Sequence, residues 1–339
     1  MLTRVDIQNY RSIYKASVPL SPFTLLIGAN GAGKSNFLRL LKELSLSNPS
    51  KENRSKKKDE SLLTKHRSFA FEGQYIAVHN DKQQSYIVKN EPRENVDLST
   101  IFPSHLSPLG RFASGQDEPH SFLPELRDVR VFSLDYRVAG NSEYLVANPT
   151  IQEDGQGLVQ VLDSLKTGDR EDLFFQIEKT LKQHIPEVEK LSFVSGNQDK
   201  RLQVREKHLP QPVPLSVLSK GMQLALMLIT ILYQERKPSL ICIEEIDSGL
   251  HPRLYQSVIQ LCFDISQWDD VQIIATTHNP YLIDEFEDNE SAVVIVEKDQ
   301  GQTQFTVLEE RLMALEVDED VPLGSLWYSG LVGGVPKGV

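Results

Sequence analysis

The sequence predicts an α/β protein: a mixed central sheet flanked by helices, with an antiparallel β subdomain and an inserted helical subdomain. Three observations predict it. Residues 23–44, "FTLLIGANGAGKSNFLRLLKEL", pass from a short apolar run through three glycines into apolar residues at helical spacing. Two later apolar runs, "SLICI" and "VQIIATTHNP", each end on polar groups and have a helical stretch between them, the alternation typical of a parallel sheet. Between these parts, residues 69–90 alternate apolar and polar side chains, and residues 157–184 return to helical spacing.

Composition limits what such a protein does. The 339 residues are 40% hydrophobic and 24% charged, the balance of an ordinary globular chain able to bury a sizeable core. There is no run of about eighteen apolar residues, and "MLTRVDIQNYRSI" lacks the apolar stretch of a signal peptide, so the expectation is a cytoplasmic protein without a membrane partner. Cys242 and Cys262 both lie in apolar surroundings and read as buried thiols. With 36 basic and 47 acidic residues, a net charge of -11 argues against coating nucleic acid along the whole surface.

In chain order, "LTRVDIQNYRSI" alternates as a strand and is followed by the apolar run Phe23 to Ile27. The glycines at 28, 31 and 33 let the backbone curl so that successive N–H groups point at a phosphate, helped by the partial positive charge of a helix start. This is the G-x-x-x-x-G-K-[ST] pattern of a P-loop, in which Lys34 reaches the β- and γ-phosphates and the Ser35 hydroxyl binds Mg²⁺. Asn30, Gly31, Ala32, Gly33, Lys34, Ser35 and Asn36 are therefore the expected nucleotide contacts. Phe37, Leu38, Leu40, Leu41 and Leu44 form the buried stripe of the following helix.

Residues 45–68 are a polar loop whose Lys51, Arg54, Lys56, Lys57 and Lys58 read either as a solvated cluster or as a contact for a DNA backbone. The alternation at 69–90 turns at Asn80-Asp81, a hairpin expected beside the P-loop strand. Proline and glycine crowd residues 92–124, and strand-like "VRVFSL" follows. Residues 157–184 read as two helices broken at Thr167-Gly168. No sustained heptad excludes a long coiled-coil arm.

"VLSKGMQLALMLITILYQ" opens a strongly apolar helix with Ser219, taken alone an N-cap. "LICIEEIDSGLHP" then ends a strand on Glu244 and Glu245, an acidic pair that costs too much to bury unpaired. Beside a P-loop the missing partners are Mg²⁺, supported by Glu244, and a water attacking the γ-phosphate, oriented and deprotonated by Glu245. His278, alone an ordinary strand-end histidine, becomes at the tip of a neighbouring strand a γ-phosphate sensor.

The four pieces "GANGAGKS", "LSKGMQ", "ICIEEIDSGLHP" and "TTHNP" occur in one order that resembles the ATP-binding-cassette (ABC) ATPases. Within them the chain is similar to the SMC/RecF/OLD-like branch. That resemblance implies a P-loop NTPase of ABC-ATPase type that binds ATP and Mg²⁺ and hydrolyses the ATP. It makes "LSKGMQ" the signature motif, with Ser219 and Gly221 contacting the γ-phosphate held by a second subunit in a head-to-tail dimer. Ser248 and Gly249 match the loop that crosses such an interface, and "NYRSI" resembles the segment in which Arg11 helps hold the nucleotide. "SGLHP" and "LGSLWYSGLVGG" look like short OLD-type ATPases that pair with a separate TOPRIM-like nuclease in phage defence, so DNA and a nuclease are the implied partners. Two positions depart from the pattern: Glu244 stands where most cassettes have Asp, and Lys220 where a glycine is usual. The Q-loop glutamine has no clear counterpart, since Gln74 falls in the hairpin and "DYRVAG" contains none.

The chain is read as one ATPase domain over 1–339. Residues 1–150 form a lobe with the P-loop and hairpins, 151–215 a helical and strand insert, and 216–339 the half carrying signature, Walker B, D-loop, H-loop and tail. The function expected is an ATPase that dimerises around ATP and drives or regulates a nucleic-acid-processing complex in defence or repair. The alternatives are the nucleotide-binding subunit of a membrane transporter and a weakly hydrolysing ATP sensor or scaffold. The "WYSG" tail either docks a partner or packs back on its own domain.

Overall fold

The computed structural model describes residues 1–46, 74–90, 123–141, 143–144, 146–196, 199–268, 271–315 and 321–336. The lysine-rich stretch 51–58 lies outside the described residues, as does most of the proline-rich segment after 90.

The N-terminal half of the chain runs β1 (Leu2–Tyr10), β2 (Ile13–Pro19), β3 (Phe23–Ile27), α1 (Lys34–Leu46), β4 (Gln74–Asn80), β5 (Ser85–Asn90), β6 (Val129–Phe132) and β7 (Glu143–Tyr144). Two helices follow, α2 (Leu158–Thr167) and α3 (Glu171–His184), then β8 (Val188–Ser195), β9 (Asp199–Glu206) and β10 (Val213–Pro214). The remainder is α4 (Lys220–Tyr233), β11 (Leu240–Ile243), α5 (Pro252–Trp268), β12 (Gln272–Thr277), α6 (Pro280–Ile283), β13 (Val293–Asp299), β14 (Gln302–Val307), α7 (Leu308–Met313) and α8 (Leu323–Tyr328).

Six strands make the central sheet in the order β14-β13-β3-β12-β11-β6. Five of them are parallel, and β14 pairs antiparallel with β13 at one edge. Strands buried on both faces must be apolar throughout, and "FTLLI" and "LICI" are buried at every position. One face packs Leu25, Ile27, Ile241 and Ile273 against the apolar sides of α2 to α5. The other packs Leu26, Cys242, Ile274 and Val296 against α1 and a second, antiparallel sheet, β2-β1-β4-β5. Cys242 and Cys262 are free and fully buried, and burial pushes both thiols far up, so they serve as core side chains.

The hairpin turning at Asn80-Asp81 forms, but its sheet stacks over α1 rather than extending the P-loop strand, because β3 has β12 and β13 as its neighbours. That sheet carries a polar ladder through all four strands. Ser17 donates to Asp6 at 2.7 Å, and His79 joins Asp6 at 2.9 Å to Ser85 at 2.7 Å. Burial raises the Asp6 pKa, but the hydrogen bonds from His79 and Ser17 and the charge of Arg4 outweigh it and hold the carboxyl below the usual aspartate value.

The two helices broken near Gly168 pack on a further antiparallel group, β7 to β10, whose β8–β9 hairpin the sequence reading passed over. Its signal was available in the alternation of Leu191 with Phe193 and of Leu202 with Val204. The tail packs back on its own domain: Leu323, Leu326, Trp327 and Val332 are buried, while Tyr328 and Leu331 stay exposed. Among the described residues the longest helix is α5, with 17 residues, and none is long and apolar enough to cross a membrane.

Candidate functional site

Adjacent parallel strands end along one edge of the central sheet, and each releases a polar segment there. The glycine loop follows β3, Glu244 and Glu245 follow β11, His278 follows β12, and Ser133 follows β6. In open α/β sheets, ligands bind at this carboxyl edge.

The loop of residues 28–33 owes its shape to what lies behind it. A Cβ on Gly33 would sit 2.3 Å from Thr303 Oγ1, and one on Gly28 2.1 Å from the Val296 carbonyl oxygen. Gly33 also has φ +120°, which side-chain-bearing residues rarely adopt. The fully buried Thr303 donates its hydroxyl to the Ala32 carbonyl at 2.8 Å, and the Ala29 N–H donates to the Gly334 carbonyl of the tail at 2.8 Å. The Asn36 amide reaches Ser12 Oγ at 2.9 Å, which ties the start of α1 to the turn between β1 and β2.

These elements enclose a cavity of about 350 Å³. It is lined by all seven loop and helix residues from Asn30 to Asn36, by Glu244, Glu245 and Ser248, and by Ser133, Thr276 and an apolar wall that includes Leu224 and Ile243. Lys34 Nζ donates to the carbonyls of Gly28 at 2.6 Å and Ala29 at 3.1 Å. Burial pulls its pKa below the ordinary lysine value, and the negative charge of Glu245 partly opposes this. A buried ammonium that donates to carbonyl oxygens is a group that an anionic ligand stabilises further.

Glu245 has a left-handed backbone, φ +48°, and its N–H donates to Thr276 Oγ1 at 2.9 Å. Its carboxylate lies 3.9 Å from His278 Nδ1, with both side chains about half exposed. Next along the loop, Asp247 accepts from Thr277 Oγ1 at 2.7 Å. Ser35 and Glu244 both line the cavity, and a hydroxyl with a carboxylate suits a hard cation that keeps most of its waters.

The residues expected from Asn30 to Asn36 thus share one cavity with Glu244 and Glu245; His278 does not line it and lies 3.9 Å from the Glu245 carboxylate. Ser219, Gly221 and Arg11 do not line it. Ser219 caps α4 by accepting the Met222 N–H at 3.3 Å and is exposed. Gly221 lies against Gly249, one residue beyond the lining residue Ser248. Arg11 donates to Glu43 at 3.0 Å and lies over the Tyr10 ring, so its guanidinium is held beside α1. No glutamine is among the lining residues; at the β6 edge, where the Q-loop was sought, the cavity wall is Ser133 and Leu134. Among the residues the sequence reading missed, Thr276 lines the cavity and Thr303 and Gly334 hold its loop. A threonine doublet at a strand tip marks the first, whereas nothing local to Thr303 or Gly334 announces a contact some 300 residues back along the chain.

A parallel core with a glycine loop after one strand and an acidic pair after the next strand but one defines a P-loop ATPase head of the ABC type. The chain belongs to the AAA_21 family, described as "AAA domain, putative AbiEii toxin, Type IV TA system", which matches residues 23–284. It is 28% identical over 326 residues to an OLD nuclease from Thermus scotoductus, a match covering 84% of this chain and 60% of that protein. The chain therefore spans about 60% of the length of this curated relative. In fold it is similar to the SmcHead bound to the C-winged helix domain of ScpA, with TM-score 0.51 and 14% identity over 93% of this chain and 99% of that one. An SMC head domain from Thermotoga maritima aligns with TM-score 0.45 and 13% identity over 90% and 98% of the two chains.

Proposed function

We propose that this chain binds ATP with Mg²⁺ and hydrolyses it, and that it does so as a head-to-tail dimer serving a nucleic-acid-processing complex with a nuclease partner. The observation that carries the reading is the convergence of Lys34, Ser35, Glu244 and Glu245 on one cavity at the strand tips. The backbone N–H groups from Gly31 to Ser35 and the Lys34 ammonium cradle the phosphates. Ser35 and Glu244 would hold a Mg²⁺ ion, which would supply charge neutralisation for the transferred phosphoryl group. Glu245 takes a proton from the attacking water, and His278, within reach of the same carboxylate, contacts the γ-phosphate oxygens. Catalysis of this kind is positioning and charge stabilisation, which a preorganised loop and a carboxylate on a constrained backbone supply.

Ser219 and Gly221 are exposed or half-buried and off their own chain's cavity, which supports a role toward a nucleotide on a second copy. The likeness to an OLD nuclease supports nucleic acid as the context, with defence or repair as the process served. Steady-state phosphate release by the purified protein tests the reading. Lys34→Ala and Glu245→Gln are each expected to lower turnover by about 100-fold or more, and wild-type turnover in either sinks it. Stimulation by linear duplex DNA that disappears in Glu245→Gln supports direct action on nucleic acid; indifference to DNA assigns recognition to the partner. A second reading, a sensor that binds ATP and scarcely turns it over, is favoured by Glu244 and Lys220 at positions where Asp and Gly are usual. Tight ATP binding without phosphate release, with DNA and nuclease both present, selects it.

A further inference from the structure

We propose that Thr276 is the positioning residue for Glu245, an inference that rests on the hydrolytic reading above. The last rung of the parallel ladder between β11 and β12 pairs Ile243 with Ala275. Beyond it the Glu244 N–H still donates to the Phe132 carbonyl of β6 at 2.8 Å, and the following two amides turn to β12. Thr276 takes both: its hydroxyl oxygen accepts the Glu245 N–H at 2.9 Å, and its carbonyl accepts the Ile246 N–H at 3.1 Å. Between these two bonds Glu245 is held at φ +48°, a left-handed conformation that a glutamate keeps only when its surroundings impose it. The carboxylate that follows from this backbone lies 3.9 Å from His278 Nδ1, and Glu245 and Thr276 line the same cavity. Thr276 is 2% exposed. Its hydroxyl is thus a fixed acceptor in the cavity wall, and the base inherits that rigidity.

Thr276→Val keeps the shape of the side chain and deletes the acceptor; Thr276→Ser keeps the acceptor and deletes a methyl group. Both are made in the full chain. In Thr276→Val, kcat for ATP is expected to fall about tenfold to 100-fold with KM within about twofold, because the base is misplaced while the phosphate cradle is untouched. Thr276→Ser is expected to restore kcat to within about threefold of wild type. Amide hydrogen exchange followed by NMR is expected to show the Glu245 N–H exchanging faster in Thr276→Val and protected in Thr276→Ser. Unchanged kcat in Thr276→Val, or a fall that Thr276→Ser fails to rescue, overturns the proposal, as does a Glu245 amide equally protected in all three proteins. If wild type and Glu245→Gln release phosphate equally, the hydrolytic reading fails instead. The exchange measurement then still decides whether Thr276 holds the Glu245 backbone.

Discussion

The loop at residues 28–33 is gripped from behind by three distant parts of the chain, whereas the turn at 219–221 stands on the surface and is held by its own helix start. Behind the loop are Val296 on β13, Thr303 on β14 and Gly334 in the tail, all in contact or hydrogen-bonded with it. At the turn, Ser219 and Lys220 are exposed, the Lys220 ammonium lies 5.4 Å from the Tyr136 ring centroid, and a Cβ on Gly221 would meet only the Gly249 carbonyl at 3.3 Å. The difference teaches where rigidity is invested. Phosphate must find its donors already aimed, so the loop is made part of the core; the turn is free to answer to something outside the chain.

Substitution at the loop breaks the comparison most severely. Gly33→Ala drives a methyl group into Thr303 and forces alanine to φ +120°, and is expected to cost about 3 kcal/mol or more in urea denaturation and to abolish nucleotide binding. Thr303→Val removes the donor to Ala32 and the partner of Ser12 Oγ at 2.8 Å while nearly keeping volume. It is expected to cost about 1–3 kcal/mol and to weaken ATP binding in parallel, both read by thermal unfolding with and without nucleotide. Unchanged stability in either variant would mean that the rear contacts do not hold the loop.

The Asp6 ladder, in neither region, gives a reference for a buried polar network that no phosphate approaches. Asp6→Asn is expected to cost about 1–2 kcal/mol at neutral pH. A carboxyl whose pKa is lowered by folding stabilises fully above its unfolded value, about 3.9, and loses that contribution as pH falls through the folded value. The difference between wild type and Asp6→Asn is therefore expected to shrink below about pH 4 in denaturation curves run at successive pH values. Ser219→Ala has the smallest expected effect on stability, about 1 kcal/mol for a lost N-cap. It sharpens the comparison if ATP turnover falls much further than stability does, since only a role toward an outside ligand separates the two.

Legibility followed the same division. "GANGAGKS" announced the loop, the apolar run before "EEIDSG" announced β11, and the hairpin turning at Asn80-Asp81 and the helices broken at Gly168 formed as read. Arg11, assigned by resemblance, donates to Glu43 of α1, a contact that depends on the packing of β1 over α1 and that no local pattern announces. The Q-loop was illegible for a different reason, since the structure fills that edge of the cavity with Ser133 and Leu134 at the end of β6.

The sequence by itself determined which residues have phosphate and acid chemistry and which element carries each, because glycine loops, caps and hydrophobic periods act over a few residues. Only the tertiary structure decided that β3, β12, β11 and β6 lie side by side, so that their tips share one cavity. It also decided that Thr276 takes the Glu245 amide and that Thr303 and Gly334 close the back of the loop. Those contacts join residues from about 30 to about 300 positions apart, and strand order is set by burial of the whole sheet rather than by any local pattern.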